Sequence, residues 1–130
     1  MGQQQLLLIV LGVIIVGIAV VVGINVFTAS SSQANNDAVI ADLTNLASLA
    51  QQYYRKPTAL GGGGNSFTGY TIPSQLASTG NGVYTISSAG SATGISFQGV
   101  GNENGTKVST AKVTVTMAVY PDSIKATIVN

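Results

Sequence analysis

LLLIVLGVIIVGIAVVVGI, residues 6–24, decides how the rest of the chain must be read. These nineteen residues contain no charged side chain. At about 1.5 Å rise per residue they span roughly 28 Å as a helix, close to the hydrocarbon thickness of a bilayer. Ahead of them stand only Met1-Gly2-Gln3-Gln4-Gln5, and the first charge along the chain is Asp37. Such a segment must lie in lipid, be buried by neighbouring copies, or do each at a different time.

Three readings of this segment compete. A secretory signal peptide opens with Lys or Arg and has an apolar core of about 7–15 residues. This start has neither property, although Ser32-Gln33-Ala34 offers a small-residue cleavage pattern. A single-pass anchor fits by length, but no Lys/Arg cluster flanks the segment to fix its orientation. A polymerising helix is the third reading. Gly12, Gly17 and Gly23 each cost about 1 kcal/mol of helix propensity relative to Ala. In return, small residues let helices approach closely. Their spacing is not that of a GxxxG dimer motif.

Composition narrows the function classes. With 130 residues, about 95 of them beyond the apolar segment, the chain has room for one small domain after the helix. Charged residues make up 7% and the net charge is +1. Lys107, Lys112 and Lys125 are scattered and lack an aromatic platform, so no nucleic-acid footprint is present. A net charge near zero favours association. The chain has no cysteine and no histidine. Disulfides, thiolate metal sites and thiol catalysis are thereby excluded, and the commonest general base is missing.

Working outward, the polar patch TASSSQANN at residues 28–36 contains neither glycine nor proline. Asn36 could cap a new helix, with Asp37 in its first turn. The favoured expectation is one continuous helix, with a bend near residues 23–25. Residues 37–56, DAVIADLTNLASLAQQYYRK, are amphipathic. Val39, Leu43, Leu46, Ala50 and Tyr53 recur at steps of four and three, and Ile40, Ala47 and Tyr54 widen the stripe. Val39, Ile40, Leu43, Leu46, Ala50 and Tyr53 are the expected helix–sheet core. Asp37 and Asp42 near the start, with Arg55 and Lys56 at the end, suit the helix dipole. Pro57 stops the helix. From about residue 3 to 56, the helix would reach on the order of 80 Å.

GGGG at residues 61–64 reads as a flexible or tightly folded connector. It lacks the preceding strand and following lysine of a phosphate-binding loop. The remainder reads as β. VYTI at 83–86 follows the Asn81-Gly82 turn, and ISFQGV at 95–100 alternates. Residues 108–120, VSTAKVTVTMAVY, are β-branched in their second half, and SIKATIV at 123–129 follows a Pro121-Asp122 turn. Four half-apolar strands make a small antiparallel sheet with one buried face, and the helix stripe is its partner. The expected fold class is α+β. Its parts are a filament-core or transmembrane helix at 1–27, an amphipathic continuation at 28–56, and a head at 57–130.

Little chemistry is available. Asp37, Asp42, Glu103 and Asp122 are the carboxylates. Asp37 and Asp42, five residues apart, do not converge on one helix face. Asp122 suits a turn. Asn102-Glu103-Asn104 offers oxygen ligands but lacks an acidic calcium loop. Serine without a base is not a nucleophile. No enzyme activity, cofactor or metal is expected. Asn104-Gly105-Thr106 is a glycosylation sequon, although an Asn-Gly turn is the preferred reading of it. Tyr53, Tyr54, Tyr70, Tyr84 and Tyr120 are expected in the helix–sheet core or between subunits.

The whole plan, and most specifically MGQQQLLLIVLGVIIVGIAVVVG at residues 1–23, resembles a type IV pilin. The resemblance implies a leader removed by a prepilin peptidase and a methylated new N-terminus, which would be Met1. It implies residence in the cytoplasmic membrane, then extrusion by a pilus assembly machine into a helical polymer of many copies outside the cell. The family usually has phenylalanine first and glutamate fifth, where this chain has Met1 and Gln5. Gln3, Gln4 and Gln5 would then contact a neighbouring subunit's amino terminus. Many bacterial members also carry a disulfide near the C-terminus, which a chain without cysteine cannot form.

On that resemblance the filament core would comprise Leu6, Leu7, Leu8, Ile9, Val10, Leu11, Val13, Ile14, Ile15, Val16, Ile18, Val20, Val21, Val22 and Ile24. The expected function is a major structural subunit of a type IV pilus-like extracellular filament serving adhesion, motility or attachment. The alternatives are a minor pseudopilin of a secretion system and a membrane-anchored binding module with a small β head.

Overall fold

The structure, a computed structural model, describes residues 2–108 and 110–130. Helix α1 runs from Gly2 to Arg55 as one α-helix. A short 3-10 turn (Thr58–Leu60) and a one-turn helix α2 (Ser74–Ala77) follow. Four strands complete the chain: β1 (Gly82–Ser88), β2 (Ile95–Asn104), β3 (Lys112–Val119) and β4 (Ile124–Ile128). They form one antiparallel sheet in the order β1-β2-β3-β4. The fold is α+β, a long N-terminal helix with a four-stranded antiparallel sheet packed on its C-terminal part. The chain divides into two compact units, Met1–Ser31 and Ser32–Asn130.

Within the second unit, the helix stripe and the sheet alternation meet as the spacing requires. Val39, Leu43, Leu46, Ala47 and Ala50 are buried with Tyr84, Phe97, Val113, Val115, Met117 and Val119. On β3 the buried residues occur at every second position, the period of a sheet with one covered face. Ile40 packs at the margin of this core. Tyr53 is half-buried and lies outside the buried cluster. Its ring meets Tyr70 edge-on at 5.3 Å, and its hydroxyl donates to the Thr68 carbonyl at 2.8 Å. Tyr84 is buried, Tyr54 and Tyr70 pack against the core margin, and Tyr120 is exposed.

Glycine sets how near helix and sheet can come. A Cβ on Gly99 would lie 2.7 Å from a Val39 methyl, and one on Gly101 would lie 2.0 Å from the Asn35 side chain. Both contacts are below any real Cβ separation. β2 therefore presents bare backbone where α1 crosses it.

The 61–64 glycines fold tightly against the end of α1. The amides of Gly63, Gly64 and Asn65 donate to the carbonyls of Tyr53, Lys56 and Tyr54 at 2.8, 2.9 and 2.7 Å. These are carbonyls that a helix end leaves without partners. A Cβ on Gly63 would sit 1.8 Å from the Ser66 carbonyl oxygen. The approach therefore requires glycine.

α1 passes through Asn36 unbroken, in line with the favoured expectation of one continuous helix. Two expectations need correction. β3 begins at Lys112 rather than near Val108, because the Val108 N–H turns to Asn130 Oδ1 and the Gly105 N–H bonds to the Ala111 carbonyl at 2.7 Å. β4 does not share the buried face, since all five of its residues are exposed.

Candidate functional surfaces

In the first unit, the apolar segment has no cover among the described residues. Every large hydrophobic residue from Leu6 to Phe27 is between 52% and 73% exposed. Nothing lies within 4 Å of where a Cβ on Gly12, Gly17 or Gly23 would be. Among the described residues, α1 is one helix long and apolar enough to cross a membrane. Its first turn carries no acidic residue, and Gln3, Gln4 and Gln5 stand there exposed. Met1, the expected processed residue, lies outside the described residues. An exposed apolar surface of this extent is a binding surface for lipid or protein. It points to a membrane-inserted or secreted protein.

In the second unit, the polar side chains hold the head together. The α1 stripe continues upstream of Val39 through Asn36 and Ser32, both buried. Ser32 Oγ donates to the Asn104 carbonyl at 2.6 Å. Asn35 Nδ2 donates to the Asn81 carbonyl at 2.9 Å, and its Oδ1 accepts the Glu103 amide at 3.2 Å. The later part of this polar patch thus ties α1 to the sheet rim. The steps from Ser32 to Asn36 to Val39 to Leu43 are four, three and four, so the stripe's own period was the signal for it.

Asp42 is the strongest polar node. One oxygen, Oδ2, accepts from Thr79 Oγ1 at 2.9 Å, from Asn81 Nδ2 at 3.1 Å and from the Tyr84 hydroxyl. Burial pushes the carboxyl up, but the bonds from Tyr84, Asn81 and Thr79 together outweigh it and hold it below its usual 3.8. Burial, and then the bond to Asp42, push the Tyr84 hydroxyl well above its usual value. Thr79 and Asn81 belong to the tight turn closed by the Thr79 N–H to the Gly82 carbonyl at 2.9 Å, and Tyr84 follows on β1. Sequence reading assigned Asp42 only to the helix dipole. Its partners are 37–42 residues away, and no local spacing announces them.

Asn104 is exposed at the end of β2, with its carbonyl engaged by Ser32. Asn102 Nδ2 donates to the Gly80 carbonyl at 2.7 Å, so this side chain serves the turn. Among the described residues no group of three or more acidic side chains could hold a metal ion.

No family model, curated protein or solved structure matches the chain. The class rests on architecture alone. A long apolar N-terminal helix whose later turns pack on a four-stranded antiparallel sheet is a pilin-like architecture.

Proposed function

We propose that the chain is a structural subunit that polymerises through residues 6–24 into an extracellular type IV pilus-like filament. The observation that carries this reading is the uniformly exposed, charge-free surface of α1 from Leu6 to Ile24. The head, by contrast, closes a buried core of its own. The helix would first reside in the cytoplasmic membrane. Equivalent helices would then bundle, each burying apolar surface at about 25 cal/mol per Å². Summed over many copies, that term makes a durable polymer without any chemical step. The heads would form the outer shell. A prepilin peptidase and a pilus assembly machine are the partners this reading requires, and no catalytic activity belongs to it.

Gln5 then faces a neighbouring amino terminus in an apolar core. A buried unpaired ammonium is costly. Gln5 accepts a hydrogen bond from it without neutralising it, with Gln3 and Gln4 beside it. Gln5→Ala should reduce the amount of filament on cells while leaving the subunit in the membrane. Normal piliation in that variant would remove Gln5 from the assembly contact.

The reading is tested by following the chain between the sheared surface fraction and the membranes of source cells. A chain that leaves the cell with sheared surface material supports it. A chain that stays wholly in membranes is an anchored binding module instead.

A further inference from the structure

β4 is poorly secured by packing. All five of its residues are exposed, it pairs with β3 alone, and its other edge is free. An edge strand with no buried side chain is the first part of a sheet to fray. Asn130 breaks the pattern. From Tyr120 to Asn130 it is the one buried residue, at 6% exposure.

Its side chain is polar, and it is fully engaged. Nδ2 donates to the carbonyls of Val108, Ala111 and Lys112 at 3.1, 2.9 and 3.0 Å. Oδ1 accepts the Val108 N–H at 2.6 Å. Its own N–H and carbonyl both pair with Thr114, at 3.2 Å each. One planar amide therefore links Val108, Ala111 and Lys112 and joins them to the end of β4. Lys107, in the loop between β2 and β3, donates from Nζ to the Ile128 carbonyl at 2.8 Å. Gly105 makes room for the amide, since a Cβ there would lie 2.4 Å from Asn130 Cγ.

We propose that Asn130 is a clasp: its side-chain amide holds the loop backbone at Val108 and Ala111 to the start of β3 and pins β4 to the sheet, so that losing this one contact releases loop and strand together. The chemistry requires an amide. Only a group with both donor and acceptor on one plane serves the Val108 N–H and the three carbonyls. An aspartate would turn a charge toward those carbonyls and donate nothing. The helix–sheet core does not depend on the clasp, because its residues lie on α1, β1, β2 and β3 and on Phe67.

The test is hydrogen exchange on the full chain in detergent micelles, comparing Asn130→Asp and Gly105→Ala with the parent. Gly105→Ala displaces the amide from the opposite side. Both variants should speed exchange at Gly105, Val108 and Ala111 and at those β4 amides that face β3 by tenfold or more. Phe97, Val115 and Met117 should keep their protection. Unchanged exchange in the loop, or a loosened loop with β4 unaffected, would overturn the clasp. Protection lost across β2 and β3 in either variant would make residue 130 part of the global core and overturn it equally.

Discussion

Asp42 shows what a single residue contributes to this fold. It joins α1 to β1 and the turn before it through three donors on one oxygen. Tyr84→Phe removes the hydroxyl and leaves the ring in the core. A lost hydrogen bond to a charged group in a half-buried setting should cost about 1–2 kcal/mol, read as a lower denaturation midpoint with an unchanged slope. No change would show that the ring alone matters. The carboxyl is held below 3.8 in the folded state, so its stabilisation is fully present above that value. It is lost as pH falls through the lower folded value. Asp42→Asn should therefore flatten the acid limb of the stability curve below the ordinary carboxyl value of 3.8. An acid limb identical to the parent's would assign acid sensitivity to other carboxylates.

At the scale of elements, the helix and sheet carry their own signatures and the connections do not. The four-and-three spacing of Val39, Leu43, Leu46 and Ala50 is enough to place a buried helix face, because only a 3.6-residue period aligns those side chains. The alternation in KVTVTMAV likewise announces β3. The start of β3 is not legible, because Val108 is apolar and looks like strand while Asn130 draws its backbone into a loop from 22 residues away. Tyr53 has the stripe's period and yet lies outside the buried cluster, where it meets Tyr70 and Thr68. The glycine run is legible as a turn but not as the cap it forms. Gly63→Ala tests that cap. Its Cβ would strike the Ser66 carbonyl, so the Tyr53 and Lys56 carbonyls should lose their partners. A loss of about 1–3 kcal/mol is expected, with faster exchange of the Gly63 and Gly64 amides. Leu43→Ala, fully buried against the sheet, should cost about 2–5 kcal/mol in the same assay.

At the scale of the whole molecule, residues 6–24 announce a surface that must be covered, and the structure gives it no cover among the described residues. A single chain cannot name what does the covering, which is why the architecture was legible in sequence and the assembly is a proposal. The two units separate the predictions cleanly. Ile15→Lys places a charge mid-segment, at about 2.5–3.5 kcal/mol in a membrane setting. It should abolish surface assembly while the head keeps its parent unfolding transition. A head that unfolds in that variant would deny the two units their independence. The most direct measurement is electron microscopy of material sheared from the source cells, with its proteins identified by mass spectrometry. Thin filaments with a regular subunit repeat, and with this chain as their main protein, are the expected result. Membranes that retain the chain, with no filament containing it, would contradict the polymer.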